Sequence, residues 1–115
     1  MNIQECYETM GANYDDILSR LRNPSLITKL VKKFEADENY KVLETSLQEK
    51  NVDAAFRAAH TLKGVCLNLG FTQLTKDTVA ITEILRSGSL EGTQELFEKI
   101  KPIYEKTVKT IRELD

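Results

Sequence analysis

The stretch Val52-Asp53-Ala54-Ala55-Phe56-Arg57-Ala58-Ala59-His60-Thr61-Leu62-Lys63-Gly64-Val65-Cys66-Leu67-Asn68-Leu69, followed by Gly70-Phe71, reads as one helix with an unusual outer face. No proline interrupts it. Gly70 supplies the left-handed position at which helices commonly end, and Phe71 is the apolar residue that follows in that motif. With His60 at zero on a wheel of about 100° per residue, Ala55, Ala58, Leu62, Val65, Cys66 and Leu69 fall on the far side, with Ala54 and Ala59 at its margins. That arc is the expected core face, so His60 points away from the core. Around it on the outer face stand Asp53, Phe56, Arg57, Lys63, Gly64, Leu67 and Asn68. Two large apolar residues in a set that should be solvated suggest a docking surface.

The rest of the chain continues the helical pattern. Ile3, Cys6, Tyr7 and Met10 predict a short first helix, and Asn13 is placed to cap a second through Tyr14, Ile17, Leu18 and Leu21. From Ser25 to Asn51 no Gly or Pro intervenes, which allows one helix of about 25 residues, about 38 Å long. Its phase is not continuous: Leu26, Ile27, Leu30, Val31 and Phe34 share one arc and Tyr40, Leu43 and Leu47 another, so a kink or break is expected near Ala36-Asp37-Glu38-Asn39. Beyond Gly70, Thr72 is expected to cap a helix carrying Leu74, Ile81, Ile84 and Leu85, which Gly88 ends. A last helix is expected from Leu90 to Leu114, striped by Phe97, Ile100, Tyr104, Val108 and Ile111, with a kink or interruption near Lys101 caused by Pro102. Strand signals are absent, and the fold class is all-α.

Composition bounds what such a chain does. The 115 residues, 41% hydrophobic and 30% charged, suit a single domain with one core. Lys and Arg number 16 against 18 Asp and Glu, so the basic excess of a nucleic-acid or anionic-membrane binder is missing and neither partner is expected. No apolar run spans a bilayer and the first residues lack the order of a signal peptide, which makes the expected location cytoplasmic. Cys6 and Cys66 lie too far apart for a zinc or redox motif and are expected as reduced thiols, Cys66 as a small buried residue.

His60 is the single histidine. A lone surface imidazole is most often simply solvated, but its neighbours argue for more. Lys63, one turn on, places an ammonium beside any anion carried on the ring. Gly64, at the next position of the same face, removes the side chain that would stand over it, although a glycine inside a helix costs about 1 kcal/mol relative to alanine. The arrangement suits a phosphoryl group on a ring nitrogen, with room for a second protein to reach it.

The segment Ala58-Ala59-His60-Thr61-Leu62-Lys63-Gly64, followed by Leu69-Gly70-Phe71, resembles the H-x-L-K-G signature and downstream glycine of histidine-containing phosphotransfer (HPt) domains. The resemblance implies an antiparallel four-helix bundle over residues 24–114, preceded by one or two short helices within residues 1–22, in a single domain of residues 1–115. It further implies that His60 is phosphorylated, that Lys63 stabilises the phosphoryl charge, and that Gly64 gives access. Phe56 and Leu67, with Asp53, Arg57 and Asn68 around them, would dock the partner, and Gln73 and Arg86 are auxiliary candidates. The implied partners are receiver domains of response regulators and a sensor or hybrid histidine kinase.

Phosphoryl transfer needs in-line alignment and compensation of charge on the equatorial oxygens. The sequence offers an imidazole and a lysine but no phosphate-binding loop and no carboxylate cluster beside His60. Autonomous kinase or ATPase activity is therefore not expected, nor a cofactor or metal of the chain's own; Mg²⁺ is expected in the partner receiver. A metal site joining His60 to Cys66 is disfavoured because the two side chains lie about 120° apart on the helix. The expected function is a phosphorelay intermediate accepting and passing on a phosphoryl group at His60. The alternative is a helical docking module that binds a receiver or kinase without being phosphorylated. The chain is expected to be a free-standing monomer.

Overall fold

The computed structural model describes Met1–Asp115 as seven helices: α1 (Ile3–Met10), α2 (Tyr14–Leu21), α3 (Pro24–Phe34), α4 (Asn39–Gln48), α5 (Val52–Leu69), α6 (Thr72–Arg86) and α7 (Thr93–Ile111). There is no strand, and no helix is long and apolar enough to cross a membrane. Side-chain caps set several starts: Asn2, Asn13, Asn23 and Asn51 each accept a hydrogen bond from a first-turn N–H. Pro24 opens α3, where its missing N–H costs nothing.

Helices α4 to α7 follow one another around the core. The central α5 packs against α4 and α6, α6 packs against α7, and α7 closes back onto α3 and α4. Consecutive helices that pack on each other through short turns run antiparallel, which gives the bundle its topology. The first stave is broken. The pattern change in the sequence becomes a gap from Glu35 to Glu38, with Ile27, Val31 and Phe34 buried on α3 and Tyr40 and Leu43 buried on α4. The Asp37 carboxylate accepts from the Asn39 backbone and side-chain amides, both at 2.8 Å, and so organises the restart. Leu26 is an exception to the predicted stripe, since it is exposed.

Two local expectations are corrected. Thr72 does not cap α6; Phe71 holds the cap position without a side-chain bond, and Thr72 is already helical, its hydroxyl donating backwards to the Gly70 carbonyl. The last helix is also shorter and smoother than expected. Leu90 belongs to the preceding turn, α7 starts after Gly92, and the helix runs unbroken through Pro102. The carbonyl that Pro102 leaves without its donor belongs to Glu98, and both residues lie on the exposed face, where that carbonyl is open to solvent. Buried Phe97 and Ile100 before it, and Val108 and Ile111 after it, hold the two halves on one core.

Helices α1 and α2 cover the end of the bundle where α5 turns into α6. The Tyr7 hydroxyl donates to the Leu69 carbonyl at 2.6 Å, and the Asn13 amide donates to the Gly70 carbonyl at 2.9 Å. Gly70, at φ 73°, ends α5 in the left-handed conformation, and a Cβ there would stand 2.9 Å from the Asn13 carbonyl oxygen. Inside, a chain of ring contacts runs Tyr14, Tyr7, Phe71, Phe34, Tyr104, Tyr40, Phe97, tightest where Tyr40 stacks on Tyr104 at 3.7 Å between centroids. Phe56 alone among the aromatic residues stands outside that chain.

Candidate functional site

The site is built on the outer face of α5. Ala55, Ala58, Ala59, Leu62, Cys66 and Leu69 are buried, and the three alanines let α4 and α6 approach closely. This anchors a straight central helix whose opposite face carries exposed His60 at mid-length. Helix bounds and core face agree with the expectation except at Val65, which the wheel placed inward. Val65 is half-buried and lines a groove, because its angle from His60 is about 140° and puts it at the edge of the core arc.

Phe56 flanks His60 on one side, half-buried, with ring centroids 5.8 Å apart and planes at 47°. On the same flank the Arg86 guanidinium, from the last turn of α6, lies 5.1 Å from the centre of the Phe56 ring. Arg86 also meets Glu83 at 3.5 Å, a half-exposed pair of little energetic weight. Lys63 is half-buried one turn beyond His60 and makes no ion pair. Helical geometry puts Lys63 on the Phe56 side of the imidazole.

On the other flank an open groove of about 540 Å³ runs past His60, from Phe56 and Arg57 at one end to Val65 and Asn68 at the other. Gly64 lies in its middle. A Cβ built on Gly64 meets no atom within 4 Å, so the glycine is not there to let another helix of this chain approach. It lowers the wall beside the imidazole and leaves the space open to solvent.

The structure thus brings together His60, Phe56, Arg57, Lys63, Gly64, Asn68 and Arg86. It does not bring all the candidates to one place. Asp53 is exposed on the same face of α5 but takes no part in the groove. Leu67 is exposed and borders a separate hollow with Asn13, Asp16 and Lys76. Gln73 sits at the opposite end of α6 from Arg86, its side-chain amide directed at Gly11. Thirteen residues of helix separate Gln73 from Arg86, about 20 Å. Thr61, on the groove wall, went unnoticed in the sequence, where a polar residue on an exposed helix face carries no distinguishing signal.

The remaining reactive groups are turned inward. Cys66 and Cys6 are fully buried, and burial pushes their thiols up to about 12 and about 11. Both are neutral thiols at physiological pH, without the thiolate that nucleophilic chemistry requires. The chemistry available on the surface is that of an accessible imidazole, a neighbouring ammonium, two guanidinium groups and an open approach.

A family model described as the Hpt domain matches residues 33–114 of the chain. No curated protein and no solved structure matches it.

Proposed function

The chain belongs to the Hpt domain family, and from that membership we propose that it is a histidine phosphotransfer protein in which His60 accepts a phosphoryl group from a receiver-domain aspartate and hands it to another. The observation that carries this reading is the pairing of exposed His60 with the unobstructed space over Gly64. A receiver must bring its aspartyl phosphate, held in an acidic pocket with Mg²⁺, to van der Waals distance of the ring, and a side chain at position 64 would stand in its path.

In the forward step an unprotonated ring nitrogen of His60 attacks phosphorus in line. The N–P bond forms as the P–O bond to the aspartate breaks, and the carboxylate departs with the electron pair. Lys63 offsets charge on the equatorial oxygens once the group is on the ring. Arg57, unpaired on the groove side, faces the acidic rim of the incoming receiver. The return step reverses the same bonds with a second receiver aspartate as nucleophile. A sensor or hybrid histidine kinase supplies the group upstream. The chain itself has no kinase or ATPase activity in this scheme, and it acts in the cytoplasm as a monomer with the α5 face free.

The test is incubation with a phosphorylated receiver and Mg²⁺, followed by assay for acid-labile, base-stable label. Label that appears on the unsubstituted chain and is lost in His60→Gln is the expected result. Failure of all receivers to label His60, with retained tight binding to one of them, would favour a docking module that is not phosphorylated.

A further inference from the structure

Helices α3 and α4 are two pieces of one stave, and the residues between them, Glu35-Ala36-Asp37-Glu38, include neither glycine nor proline. Glu and Ala are strong helix formers, so local preference favours running α3 straight on into α4. The chain nearly does so. The Glu35, Ala36 and Asp37 amides donate to the carbonyls three residues back, those of Lys32, Lys33 and Phe34, at 3.3, 3.1 and 3.1 Å. The Glu38 amide then meets no backbone carbonyl, and the Asp37 carboxylate takes over by accepting from Asn39.

Packing explains the break. Ile27, Val31, Phe34, Tyr40 and Leu43 are all buried. On an unbroken helix the centre of the Ile27, Val31 and Phe34 arc would stand about 175° from the centre of the Tyr40 and Leu43 arc. The gap at Glu35 to Glu38 lets both arcs reach one core. A straight α3–α4 helix would instead turn the apolar face of α3 away from the core that α4 joins.

What α3 carries with it is a unit, since α3 packs on α1 and α2, and α1 on α2. This unit meets the rest of the chain through α1 and α3 on α7, the rings of Tyr7 and Phe34 on Phe71, and hydrogen bonds from Tyr7, Asn13 and Arg20 to the carbonyls of Leu69, Gly70 and Asn68. Its covalent link to them is the gap alone. Each of those contacts forms equally well between two copies of the chain.

We infer that the chain has a second state, a dimer in which Glu35 to Glu38 become helical, α3 and α4 join in one rod of about 25 residues, and two copies exchange α1–α3 reciprocally. The occupant of each vacated face is a second copy, because straightening uncovers two surfaces that already fit each other and points them in opposite directions on one chain. The dimer gives up the Asp37 bonds to Asn39 and the freedom of two separate chains, and gains helical backbone bonds across the gap, so protein concentration sets the balance with the monomer. His60, Phe56, Lys63, Gly64 and Arg86 all lie on α5 and α6, so each copy keeps its site whole. Phosphorylation of His60 plays no part in the exchange.

The experiment refolds the full chain from urea at high and low protein concentration and measures the dimer association constant by sedimentation. Asp37→Ala removes the bonds that organise the break and favours the helix, and is expected to raise the constant about tenfold. Glu38→Pro costs the monomer no backbone bond, whereas on a continuous helix its ring would clash with the Phe34 carbonyl. This variant is expected to remain a helical monomer and form no dimer. Ala36→Gly leaves the monomer bonds available and weakens the rod, and is expected to lower the constant about fivefold, a result independent of how the proline variant folds. Absence of a dimer in both the unsubstituted chain and Asp37→Ala at high concentration overturns the inference. So does a dimer whose constant stays within about twofold across Asp37→Ala and Ala36→Gly, which would be an ordinary surface association. A folded Glu38→Pro chain that dimerises as the unsubstituted chain does overturns it as well.

Discussion

The guanidinium of Arg86 lies 5.1 Å from the centre of the Phe56 ring, and that ring lies 5.8 Å from the imidazole of His60. A residue from α6 thus reaches His60 of α5 through an aromatic intermediary. Phe56 stands apart from the core's chain of ring contacts and is half-buried, with the Arg86 guanidinium over its ring.

If Arg86 acts by holding Phe56 against the imidazole, its effect must vanish when Phe56 is gone. An exposed cation–π contact is worth about 0.5–1 kcal/mol, so Arg86→Gln is expected to slow phosphoryl transfer to His60 about two- to fivefold. Phe56→Leu should slow it similarly, and the double variant should be no slower than Phe56→Leu alone. Rapid-quench transfer kinetics on the four proteins measure this coupling. Additive losses would show Arg86 working on the phosphoryl group directly.

On the proposed reading, Gly64 trades stability for access. Nothing lies within 4 Å of a Cβ at that position, so Gly64→Ala meets no clash and is expected to raise stability by about 1 kcal/mol through helix propensity. Gly64→Gln should also leave the fold intact while obstructing the receiver. Urea midpoints are expected to be higher in both the Ala and Gln variants than with Gly, while transfer rates fall from Gly through Ala to Gln. A Gln variant that transfers at the original rate would remove Gly64 from the mechanism.

The sequence made legible whatever depends on contacts close along the chain. The end of helix α5 could be placed because Gly70 carries it as local chemistry, and the break after Phe34 could be foreseen because two apolar arcs disagree in phase. Thr72 misled because cap position depends on where the Gly70 turn leaves the chain, which the Asn13 contact fixes from far away. Pro102 misled because the cost of its missing bond depends on which face of α7 it occupies. In the site, His60, Lys63 and Gly64 share one helix and could be read together. The Arg86 contact joins residues of different helices, and no single periodicity carries that information.

Gly70 should be less tolerant than Gly88, though both have positive φ, 73° and 84°. Alanine in the left-handed region costs about 1–2 kcal/mol at either site. At Gly88 that is the whole effect, since a Cβ meets nothing within 4 Å. At Gly70 the Cβ would stand 2.9 Å from the Asn13 carbonyl oxygen, and the bond from the Asn13 amide to the Gly70 carbonyl must shift with it. Gly70→Ala is therefore expected to lower the urea midpoint clearly more than Gly88→Ala. Equal losses would mean that the contact between the α1–α2 turn and the end of α5 contributes nothing to stability.

The two buried thiols set an alkaline limit on the fold. Burial raises Cys66 from an ordinary 9.0 to about 12 and Cys6 from 9.0 to about 11. As pH rises through 9, the unfolded chain gives up these protons while the folded chain keeps them, so the folded state binds more protons and stability falls with pH. The contribution is fully present below the unfolded value and is lost progressively toward the folded ones. Tyr7 and Tyr40 are raised by burial in the same direction, but only from an ordinary 10.0. Between pH 9 and 10 the decline therefore belongs chiefly to the thiols. Urea midpoints are expected to fall from pH 9 upward, less steeply in Cys66→Ala than in the unsubstituted chain. A midpoint that stays level through pH 10, or an equal slope in Cys66→Ala, would show that the Cys66 environment does not hold its proton as the burial implies.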